Sequence, residues 1–464
     1  MFIKQIYTNC LAHAAYYIES GNEAAVIDPL RDPEPYIKLA QSRGAVIKYV
    51  LETHFHADFV SGHIDLSNKT GASIIFGPGA SPGYKACIAK DGETFHLGHL
   101  KLQIVHTPGH TLESTCYLLY DETGEKHAIF TGDTLFAGDV GRPDLMSGNL
   151  SKEVLAAMLF DSLQFQIKTL PDDVIVYPGH GAGSACGKNI SSRLYSTIGD
   201  EKASNYALLT NDKDNFIRAV TSDLPVIPAY FFKDAGINKS GYRPFDEVLA
   251  SSMRSLRVAA FIEYQKTGAV VLDTRNPLDF AHGFIKGSIN IGLNGDFAVW
   301  VGTIIDANAS ILLITQPGKE KETIERLSRI GYDNVTGYLD GGMNTWFGLN
   351  YPYDKIMTFN GKECETLLET EEYQLLDVRN RTEAARNRMT GSIHIPLNIL
   401  KDKYTTLEKS KKWLVYCAGG YRSMITASFL LSKGFISIAG IEGGISQVIQ
   451  YAPQLIEMDI DVEI

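Results

Sequence analysis

Cysteine is scarce in this chain: six in 464 residues, at positions 10, 87, 116, 186, 364 and 417, with no paired spacing. That excludes a disulfide framework and points to a reducing cytoplasm. Positive charge is in deficit, and the net charge of −11 argues against nucleic acid or an anionic membrane surface as the main partner. Long apolar runs are missing: stretches such as Ile311–Ile314 fall far short of the ~20 residues that span a bilayer. The opening MFIKQIYTNC has no apolar core of signal-peptide length and reads as a first strand. No low-complexity tract and no Ser/Gly- or Pro-rich linker divides the chain. What is present is ordinary globular composition, 44% hydrophobic and 21% charged, and length for two to four domains.

Up to about residue 245, short β-branched runs end in turn residues: AAVIDP, IKYVLETH, KLQIVHTPGH, KHAIFTGD and VIVYPGH. Helical patterns lie between them, at about 151–170 and after Asp58. The stretch YFFKDAGINKSGYRPF at 230–245 has turn composition and marks the boundary of a first domain, 1–245. The remainder is an internal repeat. VVLDTRNPLDFAHGFIKGSINIGLN (270–294) matches QLLDVRNRTEAARNRMTGSIHIPLN (374–398), with Asp273, Arg275 and Gly287 facing Asp377, Arg379 and Gly391, always 104 residues apart. Asp340-Gly341-Gly342 likewise answers Glu442-Gly443-Gly444. Two copies of one α/β module therefore follow, at 246–355 and 356–464.

In the first domain, His54 and His56, His110, Asp133 and His180 all stand just past the C-terminal end of an expected strand. Loops at one end of a sheet can converge, so this repeated placement predicts a metal site. The ordered motifs THxHxD, TPGHT, TGD and YPGHG resemble those of the metallo-β-lactamase fold, as in glyoxalase II, and cover about residues 1–245. The resemblance implies an αββα sandwich with the metal at one edge. Dinuclear members carry a histidine directly after the aspartate, for the second metal; here that residue is Phe59, which can donate nothing. His63 is the only nearby histidine to replace it.

A mononuclear site would keep His54, His110 and Asp133, two imidazoles and a carboxylate with open positions. This is the ligand set of non-haem Fe(II) oxygenases, and zinc with a bound water also accepts it. The first domain resembles the persulfide dioxygenase branch of the fold, which implies one Fe(II) at these three positions. It also implies that His56, Asp58 and His180 orient the ligands or a bound water. The segment Gly141-Arg142-Pro143-Asp144 resembles the same branch. Arg142 could offer its fork to a substrate carboxylate, with Asp144 beside it, or pair internally with Asp144. Cys186, six residues past His180, is a candidate sulfur relay or a packing residue.

In the last copy, strand WLVY runs into Cys417-Ala-Gly-Gly-Tyr-Arg422, followed by an amphipathic helix. Loop amides at Gly419 and Gly420, the helix N-terminus and Arg422 would all favour a thiolate or a persulfide. The loop resembles that of rhodanese sulfurtransferases, and its Cys-x4-Arg form is one residue shorter than the related phosphatase loop. The middle copy offers Thr315-Gln316-Pro317-Gly-Lys-Glu320 instead, with no thiol and a carboxylate where the arginine belongs, and is expected to be inert.

The expected whole is thus an α/β multidomain enzyme: a metallo-β-lactamase-fold sandwich followed by two rhodanese-like domains. It resembles the fused persulfide dioxygenase–sulfurtransferases of sulfide detoxification. That resemblance implies a low-molecular-weight persulfide, O2, sulfite and thiosulfate as reactants, and a homo-oligomer. Two rivals remain open: a zinc thioester hydrolase of the glyoxalase II kind fused to a sulfurtransferase, and a non-catalytic persulfide carrier.

Overall fold

The computed structural model describes residues 1–145, 150–224, 226–369 and 372–458. The chain folds as two compact units, Met1–Val248 with Ser328–Gly331, and Leu249–Leu327 with Tyr332–Ile464. Among the described residues no helix is long and apolar enough to cross a membrane.

The first unit holds two six-stranded sheets. One runs Phe2–Thr8, His13–Ser20, Glu23–Ile27, Val46–Leu51, Ser73–Phe76, Cys87–Ile88 in spatial order. The other runs Ser196–Thr197, Ile175–Pro178, Lys126–Gly132, Thr115–Tyr120, Leu100–His106, Thr94–Leu97. Alternate residues of the strands face each other across the middle: Tyr16 and Ile18 from one sheet pack with Leu102, Ile104, Tyr117 and Phe130 from the other. The intervening positions face helices. Tyr17, Val26 and Val50 meet Tyr36, Ala40 and Leu66, while Cys116, Leu118 and Ile129 meet Ala156 and Leu159 of the helix Lys152–Ser162. Sheets apolar on both faces need two helical layers, and the expected αββα sandwich results.

The stretch 230–245 departs from expectation. It contains a helix, Phe231–Ser240, which belongs to the first unit. Its buried residues Phe231, Asp234, Ala235 and Asn238 fall at i, i+3, i+4 and i+7. Two of the four are polar, so the stripe does not read as apolar, and the flanking Gly241 and Pro244 supply the turn signal.

The second unit holds two five-stranded parallel sheets of matching order. The first is Ser255–Leu256, Val335–Leu339, Ile311–Ile314, Val270–Asp273, Ile289–Asn290. The second is Met357–Phe359, Ser437–Ile441, Lys412–Tyr416, Tyr373–Asp377, Ile393–His394. The repeat also returns in detail. Arg275 Nη2 reaches Asp273 Oδ2 at 2.6 Å and Arg379 Nη2 reaches Asp377 Oδ2 at 2.6 Å, both pairs buried. This Asp-x-Arg motif locks the end of a central strand in each copy.

Candidate functional site

The strands Val46–Leu51, Leu100–His106 and Lys126–Gly132 deliver His54, His110 and Asp133 to one buried pocket. One donor atom from each lies within 4.8 Å of the others. His110 Nε2 is 3.5 Å and His54 Nε2 is 4.0 Å from Asp133 Oδ2. Donors about 2.1 Å from a shared cation stand at separations of this order.

The proton assignments argue for a cation. The Thr53 hydroxyl donates to Asp28 Oδ2 (2.8 Å), so it can only accept from His54 Nδ1 at 2.9 Å. The Arg142 carbonyl accepts from His110 Nδ1 (2.8 Å), and the Ala12 carbonyl from His180 Nδ1 (3.2 Å). Each ring therefore leaves Nε2 to face the pocket. Burial, with the neighbouring imidazoles, holds His54 well below the usual histidine range, so it stays neutral. Both Asp133 oxygens, Asp58 Oδ1 and His180 Nε2 are buried without a hydrogen-bond partner. Buried polar atoms without partners are costly in a dry pocket, and a bound metal ion would supply one. The residues present fit such an ion.

Two further clusters adjoin. Asp58, His180 and Cys186 bring donor atoms within 4.8 Å of one another, with His180 Nε2 3.4 Å from Asp58 Oδ2 and 3.6 Å from Asp133 Oδ1. Cys186 is buried, and burial followed by the charges of Asp58 and Asp133 pushes its thiol well up. His56 faces the other way, into Asp28 (3.1 Å) and Glu52 (3.8 Å). Burial alone would lower it, but Asp28 foremost, with Glu52 and Asp58, holds it at about 9, an imidazolium beside His54. Phe59 is fully buried between the rings of His13 (4.2 Å) and His56 (4.4 Å). His63 joins none of the three clusters; it packs among Phe76, Tyr84 and Tyr242.

Arg142 and Asp144 make the internal pair that the sequence offered as one alternative. Arg142 is buried, Nε and Nη2 grip Asp144 at 2.7 and 2.9 Å, and Nη1 donates to Ala185 O. The fork is spent shaping the loop whose carbonyl orients His110. Gly141 must lack a side chain there, since a Cβ would come within 2.0 Å of Asp133 O. Sequence reading misses Asn238 altogether. From the helix Phe231–Ser240 its Nδ2 donates to the carbonyls of His56 and Phe59, both at 2.7 Å, and its Oδ1 accepts from Ser61 N at 2.9 Å.

In the last copy Cys417 follows the strand Lys412–Tyr416, and its buried Sγ accepts from Gly420 N at 3.1 Å and contacts Ser423 Oγ at 3.6 Å. The turn at Gly444 backs the loop, with Ile445 N donating to Cys417 O at 2.8 Å. Arg422 is paired with an acid, and it also interacts electrostatically with Cys417. Its Nη1 and Nη2 are both held by Glu383 at 2.7 Å, an acid that also caps the helix Arg381–Arg386. Burial opposes ionisation of Glu383, yet the Arg422 fork keeps its carboxyl below the usual range. Gly419 stays open, with nothing near its Cα that a side chain would meet. In the middle copy Glu320 Oε1 accepts from Gly318 N (3.2 Å) and Thr315 Oγ1 (3.1 Å), so its own carboxylate takes the amide that the other copy offers to sulfur.

Residues 8–180 match the metallo-beta-lactamase superfamily, and residues 258–348 and 360–450 each match the rhodanese-like domain. A hydroxyacylglutathione hydrolase of Pelagibacter ubique is 34% identical over 171 residues, which are 35% of this chain and 63% of that protein. The cytoplasmic hydroxyacylglutathione hydrolase of Arabidopsis thaliana is 33% identical over 184 residues, 38% of this chain and 67% of that protein. The chain thus spans about two thirds of the length of these curated relatives. The solved metallo-beta-lactamase of Staphylococcus aureus is 34% identical, with 73% of this chain and 98% of that one covered and a TM-score of 0.65. With the fold, the pocket and these likenesses in agreement, this chain belongs to the metallo-beta-lactamase superfamily and carries two rhodanese-like domains behind that fold.

Proposed function

We propose that the first domain oxidises a low-molecular-weight thiol persulfide with O2, and that the last domain carries sulfane sulfur on Cys417. The observation that carries this reading is Phe59: a buried phenyl ring stands where a second-metal imidazole would be needed, leaving His54, His110 and Asp133 as a two-imidazole, one-carboxylate set. Fe(II) held by these three would supply open positions for sulfur and O2, and the electron density that O2 requires. The protein's part is to orient and to handle protons. Thr53 and the Arg142 carbonyl fix the two ring tautomers. Asp58, whose carboxyl burial pushes up, has Oδ1 without a partner and takes the persulfide proton. The overall change is R–S–SH + O2 + H2O giving R–SH, sulfite and two protons. Sulfite then attacks the outer sulfur of Cys417–S–SH, the S–S bond breaks onto Cys417, and thiosulfate leaves.

The hydrolase reading keeps one observation in its favour: Asp58, His180 and Cys186 form a second donor cluster without any help from His63. Metal content and O2 uptake separate the two. Anaerobically prepared, Fe(II)-loaded protein should consume O2 on addition of glutathione persulfide, and His110→Ala should abolish uptake. Cys417→Ser should retain uptake and sulfite but lose thiosulfate. Two zinc ions per chain, thioester cleavage and no O2 uptake would give the site to hydrolysis.

A further inference from the structure

We infer that Arg386, on the helix Arg381–Arg386, selects the sulfur donor at Cys417 by pairing with a carboxylate on the body of an organic persulfide. The inference rests on the sulfur-transfer reading of Cys417 and names the class of donor which that reading leaves open.

Glu383 ties that helix to the sulfur loop. Its Oε2 accepts from Asn380 N at 3.1 Å, closing the helix N-terminus, and its two oxygens hold the Arg422 fork at 2.7 Å. Arg386 stands three residues on, so it shares the face of Glu383, with about 5–6 Å between their Cβ atoms. It is exposed, and its guanidinium has no ion-pair or hydrogen-bond partner among the described residues. The internal repeat locates what this position faces. His282 is its counterpart in the cysteine-free copy, and the backbones agree there: Arg275 Nη2 donates to Gly283 O at 2.9 Å, and Arg379 Nη2 to Asn387 O at 2.6 Å. In the cysteine-free copy His282 lines a cavity of about 360 Å³ together with Asp279, Thr315, Gln316 and Phe347. Their counterparts in the last copy are Glu383, Cys417, Ala418 and Ile449. Arg386 therefore flanks the mouth through which a donor reaches Cys417.

A second wall comes from the helix Ile445–Tyr451, where Ser446 Oγ donates to Ala418 O at 3.1 Å and Ile449, 42% exposed, offers an apolar surface. A free guanidinium beside an apolar surface fits a ligand with an organic body and a carboxylate. Position decides which charge Arg386 meets. The transferred sulfur belongs at Gly420 N and within the field of Arg422. Thiosulfate carries its charge beside that sulfur and so meets Arg422. Arg386 lies a helical turn away, exposed where Glu383 is half-buried, and meets a charge several bonds from the reacting sulfur. In the transfer the Cys417 thiolate attacks the outer sulfur of R–S–SH, the S–S bond breaks with its electron pair leaving on R–S⁻, and the proton stays on the transferred sulfur. Cys417–S–SH forms with no net oxidation.

The test uses the full chain under anaerobic conditions with cyanide as acceptor. Glutathione persulfide, which bears carboxylates, is compared with mercaptoethanol persulfide, which bears none, and with thiosulfate. Arg386→Gln should raise KM for glutathione persulfide about tenfold, the loss of one charge-assisted pair, with kcat little changed. Mercaptoethanol persulfide and thiosulfate should keep their KM. Arg386→Lys, which restores the charge without the fork, should recover part of the loss. The assignment falls if Arg386→Gln acts on both persulfides alike or on neither, if thiosulfate loses as much as glutathione persulfide, or if the effect lies in kcat for every donor. No turnover of any donor by the unaltered chain would instead defeat the sulfur-transfer reading itself.

Discussion

Asn238 commits its whole side-chain amide to the loop that carries His54, His56 and Asp58, through three bonds of 2.7–2.9 Å. Asn238→Ala would leave two buried carbonyls and one buried N–H unpaired, each costing about 1–3 kcal/mol. Metal affinity should fall about tenfold or more, as it does when groups behind the ligands are removed. Metal titration with thermal melting checks this; full affinity in the variant would show that the loop holds itself. His63 makes a different residue-level claim. Burial, followed by the charge of His56, pushes it down to about 3, against ~6.5 in an unfolded chain. Between those values the unfolded state binds a proton that the folded state refuses. Stability is thus complete above about 6.5 and falls as pH drops toward 3, by up to about 1.4 kcal/mol per pH unit. His63→Phe should flatten the pH dependence of the urea midpoint between pH 4 and 6. An unchanged slope would mean that His63 does not govern it.

At the scale of elements, the two repeat loops are one backbone with two occupants. Gly318 and Gly420 take the same left-handed turn, at φ +84° and +97°, and each points its N–H at an acceptor, Glu320 in one copy and Cys417 in the other. The cysteine-free loop makes the same turn, with an internal carboxylate as acceptor in place of the sulfur. Gly318→Ala and Gly420→Ala should therefore each cost about 1–2 kcal/mol, the price of a side chain in this conformation. Only Gly420→Ala should also lower sulfur transfer, because only that amide faces Cys417. Melting curves and thiosulfate–cyanide turnover on both variants decide it, and equal losses of turnover would contradict the assignment. The helix Phe231–Ser240 teaches the converse: a turn-like composition can fold as a helix when its buried stripe mixes polar with apolar residues.

Across the whole molecule, the sequence by itself determined the αββα domain, the tandem repeat, and the candidate roles of His54, His110, Asp133 and Cys417. Those features are local: a strand, a turn residue and a functional side chain stand within a few positions of one another, and alternation fixes which way the strand faces. Within that span the missing loop cysteine of the middle copy is legible too, since Thr315, Pro317 and Glu320 sit in one short loop. Tertiary structure alone decided where side chains with several options spend their donors. Arg422 turns to Glu383, 39 residues away, Asn238 to Phe59, 179 away, and Tyr421 to Gly292, 129 away. Cys186 lies beside Asp58 and His180 for the same reason. No periodicity marks such pairs, because which partner a buried polar group finds depends on what packing brings within 3 Å, and packing is a property of the assembled chain.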